Sequence, residues 1–253
     1  MPNLYEKDTF LNHNIPFLFN KEITEYDMKD AGFSLTKEFK LLDSDTIKML
    51  ESMDKVKRKI KMGKIQSSDR VYKENTKKAF VEARRMFFVL NDIDDKDVIS
   101  IKKDAIITTK HCKVTSVGKY IEFRPKNMYS SFIQLPNRIE MYYNPSQLDV
   151  KGIGDDKLEL HKDFMIKFLK MYFRKMETEP SEEVIEFCKR FIDRYKHLEL
   201  EVGYYREFNS LSIFNIPNDD GIIYNDYWEH SKKDIDIQYN FFNVLLKIIQ
   251  IPL

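Results

Sequence analysis

The chain has 253 residues, with 42 Lys and Arg against 41 Asp and Glu, so its formal net charge is +1. Hydrophobic residues make up 42% and charged residues 33%, which excludes a disordered chain and leaves one large domain or two small ones. Only 7 glycines occur, which argues against a Rossmann domain, a TIM barrel or a propeller, each rich in turn glycines. Near-neutral charge also removes any global field toward nucleic acid, so such an attraction must come from a local patch.

Residues 1–22, with Pro2 and Pro16, read as an irregular arm. EITEYDMK (22–29) reads as a short strand and DAGFSLTKEFKLL (30–42) as a helix. From Ser44 to Asn91 the pattern is helical, with one break at residues 66–69, predicting a helical hairpin of about 20 residues per arm. Three Ile-, Tyr- and Phe-rich runs follow (97–111, 119–135 and 137–153) with turn residues between them, which is strand chemistry. The remainder reads as helical over 157–176 and 181–199, loop-rich over 201–230 and helical again over 231–250. The fold class expected is α+β.

Cys112 and Cys188 form no C-x-x-C pair and give neither a zinc nor a disulfide framework. His13, His111, His161, His197 and His230 lack metal-ligand spacing. Asp155 and Asp156 suit a helix start, residues 218–221 (NDDG) are turn chemistry, and the aromatic run at 164–173 is core packing. The N-terminus is not a signal peptide and no run approaches the ~20 apolar residues of a membrane span. A cytoplasmic protein without a membrane partner is expected, and the Lys-, Asn- and Ile-rich composition suits an AT-rich genome, with a virus acting in a host cell as the expected source.

Two features suggest chemistry. Residues 51–80 hold ten cations (Lys55, Lys57, Arg58, Lys59, Lys61, Lys64, Arg70, Lys73, Lys77, Lys78) against four acids. That is either a solvated surface or a phosphate-binding arm. Arg70, Lys73 and Lys77, near the hairpin tip, share one helix face and could meet a triphosphate. The second feature is a pair of acids. Asp27 ends a predicted strand, and Asp104 lies in a polar triplet between two Ile/Val-rich runs, the layout of a β-hairpin with an acid at its tip. Such a pair can share Mg²⁺ with substrate phosphates and support in-line phosphoryl transfer.

YDMKDAGFSL (26–35) resembles motif A of the family B DNA polymerases, and VISIKKDAII (98–107) resembles their motif C, with Asp104 on its second acid. FVEARRMFFVLNDI (80–93) stands where those enzymes place a palm helix, KNMY (126–129) where they carry K-K-R-Y, and LDVKGI (148–153) matches a D-V-K-G segment that precedes the thumb. The departures are Lys102 in place of the first motif C acid and the lack of the fingers motif K-x-x-x-N-S-x-Y-G. The resemblance implies an antiparallel palm (1–43 and 80–153), helical-hairpin fingers (44–79) and a helical thumb (154–253). With 26 residues ahead of Asp27, it implies no proofreading exonuclease.

The activity implied is nucleotidyl transfer onto a primer 3′ end, with Asp27 and Asp104 as catalytic ligands of two Mg²⁺ (or Mn²⁺) ions and the Met28 carbonyl assisting. Lys126 and Tyr129 would hold the primer strand and Lys151 a backbone phosphate. The family's sugar-gate position falls on Gly32, followed by Phe33, so the gate is either absent or carried by Phe33. Primer–template, nucleoside triphosphate and replication accessory proteins are the implied partners. The rival expectation is a non-catalytic nucleic-acid-binding accessory subunit with a degenerate palm.

Overall fold

The computed structural model describes residues 3–135, 139–152, 166–197 and 199. Within them the chain divides into two compact units, the first from residues 3–14 and 22–128, the second from 15–21 and the described residues from 129 onward. The class is α+β with antiparallel sheets, as the composition and pattern indicate.

The first unit is built on a five-stranded sheet. Its strands are β1 (Thr9–Leu11), β3 (Ile23–Met28), β4 (Val98–Lys102), β5 (Ala105–Thr108) and β6 (Phe123–Tyr129), in the order β1-β4-β5-β3-β6. Strand alternation sends Tyr26 and Met28, Ile101, Ile106 and Phe123 into one core with Ala31 and Leu35 of α1 (Ala31–Glu38) and Ala79, Ala83, Phe87 and Phe88 of α4 (Arg70–Asn91). Phe87 stacks on Phe123 at 4.3 Å between centroids, and Tyr72 and Thr36 share a buried hydrogen bond of 2.8 Å that joins α4 to α1.

The helical stretch departs from the expected two-armed hairpin. It is three helices, α2 (Ser44–Glu51), α3 (Lys55–Ser68) and α4, with an extra break because Asp54 leaves the helical conformation and caps α3 through the Val56 and Lys57 N–H groups. Asp43 and Asp69 cap α2 and α4 in the same way. The α3 and α4 arms differ in kind. Residues of α4 spaced by a helical period (Tyr72, Thr76, Ala79, Ala83, Phe87) are buried, whereas α3 buries none.

In the second unit β2 (Phe17–Leu18), β7 (Ser131–Leu135), β8 (Ile139–Asn144) and β9 (Gln147–Lys151) form a sheet in the order β2-β7-β8-β9. The arm expected to be irregular therefore contributes an edge strand to each sheet, β1 to the first and β2 to the second. Ile133, Met141 and Tyr143 on one face pack with Phe168, Leu169, Tyr172 and Phe173 of α5 (Lys167–Thr178) and Val184 and Cys188 of α6 (Ser181–Lys196). The aromatic run expected to be core is core wherever it is described. The expected helical residues 157–165, the segments 201–230 and 231–250, Asp155, Asp156, His161, His230 and residues 218–221 lie outside the described residues.

Candidate active site

Asp27 sits near the end of β3, opposite Ala105 in the antiparallel pairing of β3 with β5. Asp104 immediately precedes Ala105, in the two-residue turn that joins β4 to β5. The Met28 N–H donates to the Asp104 carbonyl at 2.9 Å, so the backbones of the two acids are stitched together one residue apart. Both side chains are half-buried, and among the described residues neither carboxylate accepts a hydrogen bond or forms an ion pair.

The electrostatics follow. Burial, first of all, pushes the Asp27 carboxyl above its ordinary value; the charges of Asp104 and Glu25 push the same way, and Lys126 and Lys55 pull against them. Like charges held together on a half-buried sheet surface are what a bound cation relieves. Two carboxylates fit Mg²⁺ or Mn²⁺, hard ions commonly held by one or two carboxylates with phosphates completing the shell. Among the described residues no group of three or more His, Cys, Asp and Glu gathers at a ligating spacing.

Lys126 lies on β6 with its Nζ 4.0 Å from Glu25 Oε1, and Asn127 donates to Glu25 Oε2 at 2.9 Å. Glu25 and Lys55 belong to the site's charge balance; the sequence does not single out Glu25, and marks Lys55 only as one of the ten cations of the basic stretch. Strand period is the signal that finds Glu25, because it lies two residues from Asp27 and so on the same face. No local signal finds Lys55, the first residue of α3, since only tertiary packing brings it to Asp27.

Arg70, Lys73 and Lys77 are exposed on the first turns of α4, and Lys77 pairs with Glu74 at 3.6 Å. Met28 is buried in the core. Phe33 is 5% exposed; its ring lies under the Arg58 guanidinium at 4.5 Å and the Lys37 ammonium at 5.0 Å. Arg58 also pairs with Asp30 at 2.6 Å. The turn from β3 into α1 is made by Asp30 in the left-handed conformation, φ 47°. Gly32 lies inside α1 and takes no part in that turn.

Tyr129 and Lys151 belong to the second unit. Tyr129 is buried and its hydroxyl donates to Asp149 Oδ2. The Lys151 Nζ lies 5.0 Å from the Tyr142 ring centroid, and Tyr142 donates to the buried Glu140 at 2.6 Å. The cysteines are inert: burial pushes the Cys112 thiol up to about 11 and that of Cys188 to about 12.

Fold and site together describe an α+β protein with a carboxylate pair at the end of an antiparallel sheet and a basic helical hairpin in the same unit. The chain belongs to the family described as the bacteriophage PBS1 gene 130 protein, whose family model matches residues 1–253. No curated protein matches it. The family is a bacteriophage one, which agrees with the expected viral source. No helix among the described residues is long and apolar enough to cross a membrane.

Proposed function

We propose that the protein is a template-directed nucleotidyltransferase of the DNA-polymerase kind, in which the sheet of the first unit serves as palm, the α3–α4 hairpin as fingers and the C-terminal helical region as thumb. The observation that carries this reading is the juxtaposition of Asp27, near the end of β3, and Asp104, in the β4–β5 turn, two carboxylates without hydrogen-bond partners among the described residues.

In the reaction, the primer 3′-hydroxyl oxygen attacks the α-phosphorus of a nucleoside triphosphate. The bond to the bridging oxygen breaks, pyrophosphate leaves with that electron pair, and the hydroxyl proton passes to water. Mg²⁺ or Mn²⁺, when held by Asp27 and Asp104, supplies neutralising charge for the phosphoryl oxygens. Lys55, whose charge reaches Asp27, would meet the triphosphate, while Arg70, Lys73 and Lys77 extend the positive surface along the hairpin. Lys126, whose charge reaches Asp27, would orient the primer end. The remaining catalysis is positioning.

A second reading, a nucleic-acid-binding accessory subunit without turnover, is favoured by Lys102 standing where the resemblance asks for another acid. Primer extension with Mg²⁺ separates the two. Nucleotide incorporation into a labelled primer supports the transferase, and salt-dependent duplex binding with no extension supports the accessory subunit.

A further inference from the structure

The turn that presents Asp104 is under backbone strain. Lys103 has φ 54°, the left-handed region that two-residue hairpin loops ordinarily give to Gly, Asn or Asp. A lysine persists there only where its surroundings over-determine it, and both of its backbone groups are taken. Its N–H donates to the Asp8 carbonyl at 2.7 Å, and its carbonyl accepts from Arg84 Nη1 at 2.9 Å.

Arg84 has no exposed surface. Its Nε donates to the Tyr5 carbonyl at 2.8 Å and its Nη2 pairs with Asp8 Oδ1 at 3.1 Å. A fully buried guanidinium is costly where an apolar side chain would pack, so its presence calls for a reason beyond filling the core. The Lys103 carbonyl belongs to the peptide unit that leads into Asp104, and the Asp104 carbonyl on the far side accepts from Met28 N–H. The backbone of Asp104 is therefore held on one side by Arg84 and on the other by the strand that carries Asp27.

We infer that Arg84 and Asp8 form a clamp that sets the Asp104 carboxylate against Asp27 for cation binding, making Arg84 a positioning residue and the N-terminal arm part of the site. This rests on the metal-binding reading of the Asp27–Asp104 pair. Ligand-orienting partners of this kind commonly govern metal affinity without touching the ion.

The test is Mn²⁺ titration of the full chain, without nucleotide, followed by electron paramagnetic resonance and paired with thermal melting. Asp104→Asn should abolish Mn²⁺ binding at the Asp27–Asp104 pair. Arg84→Lys and Asp8→Asn should each weaken Mn²⁺ binding by about tenfold to a hundredfold, and the double variant should lose no more than the worse single, because both act through one clamp. Asp8 is 53% exposed at its side chain, so Asp8→Asn keeps the test valid should Arg84→Lys fail to fold. Either variant melting lower while keeping Mn²⁺ affinity within about twofold of wild type would make the clamp a purely structural tie and overturn the inference. Mn²⁺ binding indifferent to Asp104→Asn would instead remove the metal-site reading itself, and the clamp's role with it.

Discussion

Glu140, in the second sheet, keeps its buried carboxylate under the Tyr142 hydroxyl, and Asp149 in the same sheet takes the Tyr129 hydroxyl and the Gln147 amide. Asp27, in the first sheet, has no such donor among the described residues and faces the charge of Asp104 instead. The contrast recurs within the first sheet, where Glu25 is held by Asn127 two residues from Asp27. A carboxylate whose lone pairs are filled by hydroxyls and amides stabilises a fold and is unavailable for chemistry. One held half-buried beside a like charge works against the fold.

The contrast breaks most visibly in function. Asp27→Asn or Asp104→Asn should reduce nucleotide incorporation by at least about a hundredfold, the scale on which single electrostatic contacts to a transferring group are felt, with an unchanged circular-dichroism spectrum. Glu140→Ala should do the reverse. It should lower unfolding free energy by about 1–3 kcal/mol by removing a buried acceptor of the Tyr142 hydroxyl, read by urea titration, and leave turnover per folded molecule intact. A Glu140→Ala protein that folds normally and loses turnover would erase the distinction.

A smaller effect distinguishes the two ends of the basic hairpin. Lys55 lies at the base of α3 and its charge reaches Asp27, whereas Arg70, Lys73 and Lys77 stand exposed along the start of α4. Lys55→Ala should raise KM for the triphosphate by about tenfold, the cost of one charge-assisted contact. Neutralising Arg70, Lys73 and Lys77 together should act more on duplex binding, flattening its salt dependence by roughly 0.9 in slope for each lost phosphate contact. Steady-state kinetics beside a salt series of binding isotherms reads both.

The pH dependence of stability sharpens the same contrast. Burial raises the Asp27 carboxyl in the folded protein above its ordinary 3.8, so the native state binds that proton more tightly than the unfolded chain. Stability from this group is therefore lost as pH rises from 3.8 through the folded value. Above that window the charged carboxylate is a standing penalty. Asp27→Asn should accordingly unfold later than wild type at neutral pH, and the gap should close as pH falls below 3.8. An inactive variant more stable than its parent is the mark of a site kept for function.

Much of this is legible in the amino-acid order alone. The alternation in ITEYDM and the paired Ile runs around Asp104 carry strand period and turn chemistry locally, and both appear as β3 and the β4–β5 hairpin. What local pattern does not disclose is long-range. The break at Asp54 competes with a continuous helical pattern and is decided by a cap, and Lys55 becomes relevant only because that break puts the start of α3 near Asp27. Arg84 reads as one more charge on an amphipathic helix until its partners Tyr5, Asp8 and Lys103, from 19 to 79 residues away, are brought around it by the fold.

The smallest effect expected concerns Gly32. It lies inside α1, its φ is outside the left-handed region, and a Cβ there would meet only the flexible end of Met62, at 3.4 Å. Folding alone gives no reason for glycine, and alanine in a helix is favoured by roughly 0.8–1 kcal/mol. A glycine there makes sense if the bare position leaves room for a nucleotide sugar. Phe33, buried beneath Arg58 and Lys37, is already committed to packing and is the weaker candidate for a sugar gate. Gly32→Ala should therefore raise the melting temperature slightly while lowering kcat/KM for ribonucleotides a few-fold relative to deoxyribonucleotides, since one methyl group in a pocket discriminates on that modest scale. An unchanged ratio with the stability gain intact would show that the space above Gly32 is not where the sugar lies, and would return the question to Phe33, where Phe33→Ala should then relax the preference.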